Sequence, residues 1–282
     1  MIIVDYSGVA ISSVFSSQNV QVNEGFIRHL ILNTLRMYNV KYRDEYGKMI
    51  LACDGGSNWR KKVYPQYKAN RKKNREESGL DWEEFFRIIG LVRDEISQNL
   101  PYKVVHLQTI EADDVIATLV ESTQEFGKNE PVMIISSDKD FIQLHRYKNV
   151  KQFSPMTKQI MKEADPVRAL QEKVLRGDSG DGVPNVLNAD NTFVDGIRQK
   201  PLTSKKIEEW IKQWDNLSNI MDSDTYKNFL RNRTMIDLSQ IPEDKKTEII
   251  NTFESVKTNS NILNYLISKR CAQLIECAEE FN

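Results

Sequence analysis

Several features that mark common protein classes are missing from this sequence. Its three cysteines, Cys53, Cys271 and Cys277, form neither a CxxC pair nor an even-numbered disulfide framework. No segment approaches the ~18 consecutive apolar residues of a membrane span, so no membrane partner is expected. Residues 1–5 carry no basic region ahead of an apolar one, which argues against a secretory signal. We therefore expect a cytoplasmic protein in a reducing compartment.

Cofactor-binding motifs are missing as well. The chain has no GxxxxGK[ST] loop for nucleoside triphosphates, no GxGxxG fingerprint for dinucleotides and no HExxH zinc motif. What remains is the composition of an ordinary globular protein: 282 residues, 40% hydrophobic and 28% charged, with 12 glycines and 8 prolines. Such a length suits one large domain or two unequal ones.

Charge is distributed unevenly along the chain. The net charge is only −1, yet residues 55–75 hold eight basic side chains and no acidic one. These are Arg60, Lys61, Lys62, Lys68, Arg71, Lys72, Lys73 and Arg75. Trp59, Tyr64 and Tyr67 lie among them. Cations bind phosphates and aromatic rings stack on unpaired bases, so the segment predicts single-strand nucleic-acid binding. The alternative, a solvated surface face, usually mixes charges of both signs.

Short apolar runs alternate with amphipathic segments over the first half of the chain. The predicted strands are Ile2–Val4, Met49–Cys53, Val104–Leu107 and Val132–Ile135, and the predicted helices are Phe26–Tyr38, Trp82–Leu100 and Asp113–Phe126. Asp81 and Glu84 resemble a capping box at the start of the second helix. This alternation predicts an α/β fold with a mostly parallel sheet flanked by helices.

The pattern changes after Gly177, where strand-like runs end. Helix-like segments follow a stretch rich in Gly, Asp and Asn, and the clearest are Lys205–Trp214, Tyr226–Arg233 and Ile262–Ala278. We therefore predict an α/β domain over residues 1–176, with a basic segment at about 55–79, and a smaller helical domain over residues 177–282.

Acidic residues follow three of the four predicted strands. Asp5 ends the first strand, Asp54 follows the second and Asp138 follows the fourth. Ligands of an open parallel sheet bind beyond the carboxyl ends of its strands, so these three side chains should lie near one another. Any single aspartate of this kind is more often a turn or cap residue, and that alternative stays open for each.

Further acidic residues cluster near the same positions. Glu111, Asp113 and Asp114 stand where a helix should begin, Asp140 follows Asp138, and Asp178 and Asp181 lie in a Gly/Asp-rich segment. A helix dipole explains one or two of the first group, and a turn explains the last. So many like charges at one edge require counter-cations, and hard oxygen ligands favour Mg²⁺ or Mn²⁺.

This set of residues suits phosphodiester hydrolysis by two metal ions. Two Mg²⁺ ions ~4 Å apart can activate a water molecule, hold a phosphate and stabilise the leaving oxygen. Lys68 and Arg71 are three residues apart, so on a helix they would share one face. A cation projecting into the site could neutralise charge on the phosphoryl oxygens.

Together these motifs resemble the flap endonuclease/5′→3′ exonuclease superfamily. The resemblance rests on Asp5 after its strand, Asp54 before the basic segment, Glu-Ala-Asp-Asp at 111–114, Ser-Ser-Asp-x-Asp-Phe at 136–141, and Gly-Asp-x-x-Asp-x-Val-Pro at 177–184. It covers most of the chain and is strong to about residue 186, and the chain looks most like the branch found in T-even phages. It implies a PIN-like fold, a helical arch and a helix–three-turn–helix element.

The resemblance also implies roles for single residues. The first metal ion would be held by Asp5, Asp54, Asp113 and Asp138, with Glu111 on its waters, and the second by Asp140, Asp178 and Asp181. Asp114 matches a further acid of the family. Lys68 and Arg71 match arch residues that contact the reacting phosphate, and Tyr67 could stack on a base. Other expected nucleic-acid contacts are Arg60, Lys61, Lys62, Lys72, Lys73, Lys205 and Lys206.

The implied activity is Mg²⁺-dependent cleavage of 5′ flaps and removal of RNA primers during DNA replication. Expected partners are branched, nicked or flapped duplex DNA, RNA/DNA hybrids and a single-strand-binding protein, with the chain itself a monomer. One departure from the family stands at Asn185–Phe193, where a Gly-x-Gly-x-Lys-Thr pattern is missing. We therefore expect this element to be irregular or mobile, without a K⁺ ion that bridges it to DNA.

Two other functions remain as alternatives. A PIN-type ribonuclease acting on structured RNA would need most of the same acids but neither a long basic segment nor Gly-Asp-x-x-Asp. A non-catalytic module that binds branched DNA would keep the acids for structural reasons. A phospho-acceptor receiver domain is a more distant possibility, because it leaves the basic segment unexplained.

Overall fold

The computed structural model describes residues 1–16, 22–71, 75 and 79–282. The chain forms two compact units, each built from segments that are distant in sequence. Unit 1 comprises Met1–Gly56, Asp81–Lys162 and Glu243–Asn282, and unit 2 comprises Ser57–Leu80 and Glu163–Pro242. Residues 243–282 thus belong to the same compact unit as the sheet. The domain boundary expected at residue 176 stays a prediction.

Unit 1 contains a six-stranded sheet with the strand order β3-β2-β1-β4-β5-β6. The strands are β1 Ile2–Asp5, β2 Met49–Cys53, β3 Lys103–His106, β4 Val132–Ile135, β5 Val150–Ser154 and β6 Gln159–Met161. Neighbouring strands from β3 to β5 are parallel, and only β6 runs antiparallel, to β5. This confirms the four predicted strands and the mostly parallel sheet. Three of the five residues of β5 are polar and β6 has only three residues, so neither strand forms the apolar run on which the prediction relied.

The helices divide between the two units. Those of unit 1 are α1 Tyr6–Phe15, α2 Glu24–Tyr46, α4 Trp82–Asn99, α5 Ala112–Gln124, α10 Glu243–Ser255, α11 Ile262–Ser268 and α12 Ala272–Ile275. Those given for the described part of unit 2 are α3 Arg60–Val63, α6 Pro166–Arg176, α7 Ser204–Ile211, α8 Leu217–Ile220 and α9 Ser223–Ile236. As predicted, Asp81 caps α4, because its side chain accepts a hydrogen bond from the Glu84 N–H at 2.9 Å.

The core of unit 1 lies between the sheet and its helices, and it includes the C-terminal segment. Ile262, Leu266 and Phe281 are 0–5% exposed and pack in the same cluster as the strand residues. A buried ion cluster reinforces this attachment: Glu95 accepts hydrogen bonds from Arg28 at 2.7 Å and from the Tyr265 hydroxyl at 2.8 Å. The apolar face of α11 therefore explains its place in unit 1.

Unit 2 has a separate apolar core, and part of the basic segment contributes to it. Tyr64 and Tyr67 are each 2% exposed and pack in one cluster with Val174, Leu175 and Trp210. These two tyrosines therefore hold the described part of that segment in the core of unit 2. The predicted helical arch over 55–79 extends through residues 72–74 and 76–78, which lie outside the described residues.

Among the helices that the structure describes, none combines the length and the apolar character needed to cross a membrane.

Candidate metal centre and phosphate-binding cations

The acidic edge of unit 1 is built by adjacent parallel strands. Strand β1 lies between β2 and β4, with Asp5 in register with Ala52 and Val4 in register with Ile135. Asp54 follows β2 by one residue and Asp138 follows β4 by three. The carboxyl ends of these strands therefore bring Asp5, Asp54 and Asp138 to one edge, as their positions in the sequence predict.

Asp5 lies at the centre of this edge. Its Oδ1 accepts the Gly8 N–H at 3.0 Å, which caps α1, and its Oδ2 accepts the Ser136 hydroxyl at 2.8 Å. Burial and the negative charge of Asp54 raise the pKa of Asp5 to about 6, and Asp138 adds to this effect. Negative charge on all three carboxylates is therefore unfavourable unless a cation neutralises it. This is the electrostatic environment of a cation site.

Asp54 is held where α5 begins. Its Oδ1 accepts the Ala112 N–H at 3.0 Å, so the first turn of α5 points toward this carboxylate. The next residue has to be glycine, because a Cβ atom on Gly55 would lie 2.2 Å from the Leu107 carbonyl oxygen. This close approach lets the chain leave β2 beside the loop that carries Glu111.

The acids at the start of α5 occupy different environments. The Glu111 N–H donates to Asp114 Oδ2 at 3.2 Å, and Asp114 is completely buried. Asp114 therefore serves as a helix cap within unit 1. Glu111 is 6% exposed, whereas Asp113 is partly exposed. Asp113 is thus more accessible to a bound ion than Asp114.

The loop after β4 places two acids in succession. Asp138 is exposed and caps a 3₁₀ helix at 139–146, with its Oδ1 accepting the Asp140 N–H at 2.8 Å. Ser136, only 1% exposed, accepts the Asp138 N–H at 3.1 Å while its hydroxyl donates to Asp5. One buried serine thus connects two of the predicted ligands.

Unit 2 carries the other two predicted ligands on a tight loop after α6. Asp178 and Val183 form an antiparallel bridge with two hydrogen bonds of 2.7 Å, and the Asp181 N–H donates to Asp178 Oδ1 at 3.2 Å. Burial alone would raise the pKa of Asp178, but the charge of Lys173, 2.8 Å away, lowers it below its ordinary value. This loop therefore holds both acids in a fixed relation.

Asp181 contacts both predicted phosphate-binding cations. Its Oδ1 lies 2.5 Å from an Arg71 guanidinium nitrogen, and its Oδ2 lies 3.7 Å from Lys68 Nζ. The Tyr67 hydroxyl also donates to Oδ2, at 3.1 Å. Lys68 has a left-handed backbone (φ 58°), and its N–H donates to the Asp181 carbonyl at 2.8 Å. Unit 2 thus brings together Tyr67, Lys68, Arg71 and Asp181.

Several predicted nucleic-acid contacts occupy other environments. Arg60 is 2% exposed and its Nε donates to the Met235 carbonyl at 3.2 Å, so its charge serves the interior of unit 2. Tyr67 is equally buried, which leaves its ring no open face for stacking on a base. Lys61, Lys62, Lys205 and Lys206 are exposed. Lys72 and Lys73 lie outside the described residues.

The segment that departs from the family pattern is a series of turns. Between Pro184 and Thr203 it contains neither helix nor strand, as expected for an irregular element that lacks the Gly-x-Gly-x-Lys-Thr pattern of the family. Side chains hold its backbone: Asn185 Nδ2 donates to the Lys200 carbonyl at 2.9 Å, and Asn188 Oδ1 accepts the Lys200 N–H at 2.9 Å. Asparagine side chains thus take the place of regular backbone pairing in this segment.

Three polar residues near the acidic loops were not predicted from the sequence. Ser136 connects Asp5 and Asp138, and Gln152 on β5 donates to carbonyls of the same loop. Asn232 on α9 is 0% exposed and donates to the Val174 and Pro184 carbonyls, on either side of the Asp178–Asp181 loop. Ser136 stands in the Ser-Ser-Asp motif and could have been noticed there. The two amides give no local signal.

Comparison with known proteins agrees with this geometry. Residues 1–174 match the family model of the 5′–3′ exonuclease N-terminal, resolvase-like domain, and residues 166–281 match that of the T4 RNase H C-terminal region. The chain is 33% identical over 292 residues to the Ribonuclease H of Enterobacteria phage T4, an alignment that covers 99% of this chain and 95% of that protein. This confirms the predicted likeness to a T-even phage enzyme.

Shorter and structural matches point to the same group. Flap endonuclease Xni of Shewanella oneidensis is 33% identical over 137 residues, which cover 45% of this chain and 48% of that protein. The bacteriophage T5 flap endonuclease, solved with DNA and metal ions, superposes with a TM-score of 0.67 at 19% identity. That match covers 90% of this chain and 99% of the T5 chain and shows a shared fold. By its family models and its near full-length relative, the chain belongs to the 5′→3′ exonuclease family of nucleases.

Proposed function

We propose that this protein is a Mg²⁺-dependent 5′ nuclease that cleaves 5′ flaps and removes RNA primers from duplex DNA during replication. The observation that carries the proposal is the convergence of Asp5, Asp54 and Asp138 at the carboxyl edge of three adjacent parallel strands. Burial, together with repulsion from Asp54 and Asp138, raises the pKa of Asp5 to about 6. A divalent cation at this edge would remove that repulsion.

The donor set fits magnesium. All the candidate ligands are carboxylates, which are the hard oxygen donors that Mg²⁺ and Mn²⁺ prefer. We assign Asp5, Asp54, Asp113 and Asp138 to a first ion, with Glu111 on its waters, and Asp140, Asp178 and Asp181 to a second. When bound, such ions supply an activated water and neutralise charge on the phosphate. Asp114 supports this set as a buried helix cap.

The cations of unit 2 have a separate role in the proposal. Lys68 and Arg71 are held beside Asp181. The side chain of Lys68 is only 13% exposed, so the position of its ammonium group is restricted. A fixed cation stabilises charge that develops on phosphoryl oxygens better than a mobile one, because it needs no reorganisation. We therefore assign Lys68 and Arg71 to the reacting phosphate.

Substrate contacts follow from exposure. Lys61 and Lys62 on α3, and Lys205 and Lys206 on α7, present exposed charges suited to the nucleic-acid backbone. The buried Arg60 and Tyr67 are left out of this surface. Flapped duplex DNA and RNA/DNA hybrids are the proposed substrates, supported by the names of the phage T4 and T5 relatives. A single-strand-binding protein remains a proposed partner.

A labelled flap substrate tests the function. A duplex with a 5′-labelled single-stranded flap is incubated with the protein and either Mg²⁺ or EDTA, and the wild type is compared with Asp138→Asn. The control is Asp44→Asn, because the side chain of Asp44 is 98% exposed. We expect cleavage only with metal. Asp138→Asn should lose nearly all of this activity, and Asp44→Asn should keep the activity of the wild type.

Other outcomes identify the rival functions. Equal cleavage by the wild type and Asp138→Asn would remove the metal assignment. Tight binding of the flap without cleavage, in Mg²⁺ and in Mn²⁺, would favour a branched-DNA-binding module. Preference for a closed RNA hairpin over the flap would favour a structured-RNA ribonuclease.

A further inference from the structure

We propose that Gln152 is a positioning residue of the metal centre, acting by holding the backbone of the loop that carries Asp138. The inference rests on the proposed function and goes beyond it, because Gln152 is neither acidic nor placed where an ion would bind. It lies on β5, in register with Ile134 of the neighbouring strand β4. Its side chain is 0% exposed, beside the end of that strand.

The amide of Gln152 bonds both sides of the acidic loop. Its Nε2 donates to the Ser136 carbonyl at 2.9 Å and to the Asp138 carbonyl at 2.6 Å. The first carbonyl belongs to Ser136, whose hydroxyl bonds Asp5, and the second belongs to Asp138, the exposed predicted ligand. Beyond β4 the Ser136 N–H still pairs with the Phe153 carbonyl, at 3.1 Å. Gln152 therefore continues the hydrogen bonding of the sheet into the loop, where backbone partners end.

The orientation of this amide is determined by its partners. An amide NH₂ group has two hydrogens, and the two carbonyls can only accept, so both hydrogens are used there. The Oε1 atom then faces His145 Nε2, 3.1 Å away. Since Oε1 can only accept, His145 must carry its hydrogen on Nε2. His145 thus fixes the amide, and the amide fixes the loop.

Rigidity of this kind matters for an ion. Residues that orient metal ligands typically contribute ~10–100-fold to metal affinity, although they never touch the metal. Without the amide, the Ser136 and Asp138 carbonyls lose a shared donor, and the loop can move Asp138 away from Asp5. Because Gln152 acts on the backbone rather than on the carboxylate, we expect an effect near the lower end of that range.

A matched pair of variants separates positioning from stability. Gln152→Met removes the donor and keeps the length of the side chain. The control is Asn39→Leu: Asn39 is 3% exposed, and its Nδ2 also donates to two main-chain oxygens, of Glu280 and Asn282, at 2.9 and 3.0 Å. Both variants should lower the melting temperature. Only Gln152→Met should weaken binding of Mn²⁺ alone, by ~10-fold in Kd measured by calorimetry.

Activity provides a second readout. Cleavage of a flap duplex by Gln152→Met should recover as the Mn²⁺ concentration is raised, whereas any loss in Asn39→Leu should not respond to metal. Should Gln152→Met fail to fold, the partly exposed His145 gives the same test. His145→Leu removes the donor to Gln152, and His145→Gln retains an N–H. We expect weaker Mn²⁺ binding in the first and rescue in the second.

The possible failures are distinguishable. If the wild type binds no Mn²⁺, the proposed function is wrong. If the wild type binds Mn²⁺ and a folded Gln152→Met binds it equally well, only the positioning role is wrong. Equal Mn²⁺ affinity in His145→Leu and the wild type would refute the role of His145 in orienting the amide.

Discussion

Replacement of Asp5 by asparagine tests whether the acidic edge is electrostatically strained without metal. In the folded protein, burial and the charge of Asp54 raise the pKa of Asp5 from 3.8 to about 6. Each pKa unit corresponds to about 1.4 kcal/mol, so ionised Asp5 costs the metal-free protein about 3 kcal/mol at neutral pH. Asparagine removes this charge. It loses one acceptor, for either Gly8 or Ser136, at about 1 kcal/mol. The metal-free variant should therefore be about 2 kcal/mol more stable.

The sign of this effect changes with pH in a defined way. Below about pH 3.8, Asp5 is protonated in both the folded and the unfolded protein, and its charge has no effect on stability. Between that value and about pH 6 the unfolded protein loses the proton first, so the wild type loses stability as pH rises. Above pH 6 the penalty is constant. The advantage of Asp5→Asn should thus appear between pH 4 and 6 and persist at pH 8.

Thermal unfolding in EDTA measures the difference. For a chain of this size we expect the melting temperature of Asp5→Asn to lie above that of the wild type by ~4–8 °C at pH 7.5, and slightly below it at pH 4, where the lost acceptor outweighs the small charge penalty. Added Mg²⁺ should stabilise the wild type against unfolding, by ~2.7 kcal/mol at 100 times Kd, and so raise its melting temperature. The melting temperature of the variant should not change. Asp44→Asn is the control. A variant less stable than the wild type at pH 7.5 would refute the reasoning.

Two further substitutions test other parts of the molecule. Lys68→Ala should lower kcat on a flap substrate by ~100-fold while changing duplex affinity little, because we assign its cation to the reacting phosphate. The control Lys61→Ala, at an exposed lysine, should weaken binding rather than turnover. The reverse result would make Lys68 a general phosphate contact. Glu95→Gln should destabilise the protein by about 3 kcal/mol, because it leaves the buried Arg28 with only the exposed Glu24 as a counter-charge and weakens the bonds from Tyr265 and Lys269. The control is Glu84→Gln, in an exposed pair with Arg87, which should leave the denaturant midpoint of unfolding nearly unchanged. Equal midpoints for Glu95→Gln and Glu84→Gln would contradict the stabilising role of the buried Glu95.

The capping and catalytic interpretations of the acids prove compatible. Asp5 caps α1, Asp138 caps a 3₁₀ helix and Asp114 caps α5, as the simpler interpretation requires. Asp5 and Asp138 also lie at the shared edge with Asp54, as the metal interpretation requires. A carboxylate has two oxygens and several lone pairs, so one side chain can cap a helix and still bind a cation.

The basic segment shows where sequence reasoning reaches its limit. Its composition predicts exposed cations, and Lys61 and Lys62 confirm that part. The same composition could not show that Arg60 is buried against the Met235 carbonyl, because the two residues are 175 positions apart. Nor could it show that Tyr67 bonds Asp181 instead of facing solvent. Burial of a charged or aromatic residue depends on which segment packs over it, and local pattern does not encode that.

By itself, the sequence determined the parallel strands, the acids at their ends and the family, because side-chain periodicity and strand-end position are local properties. Only the tertiary structure decided which polar groups hold those acids in place. Ser136, Gln152 and Asn232 act on backbone carbonyls or carboxylates that are distant in sequence, up to 131 residues for Ser136 and Asp5. Such contacts exist only once the strands and helices have packed. The C-terminal helices joined the unit of the sheet for the same reason: their apolar faces could be buried there.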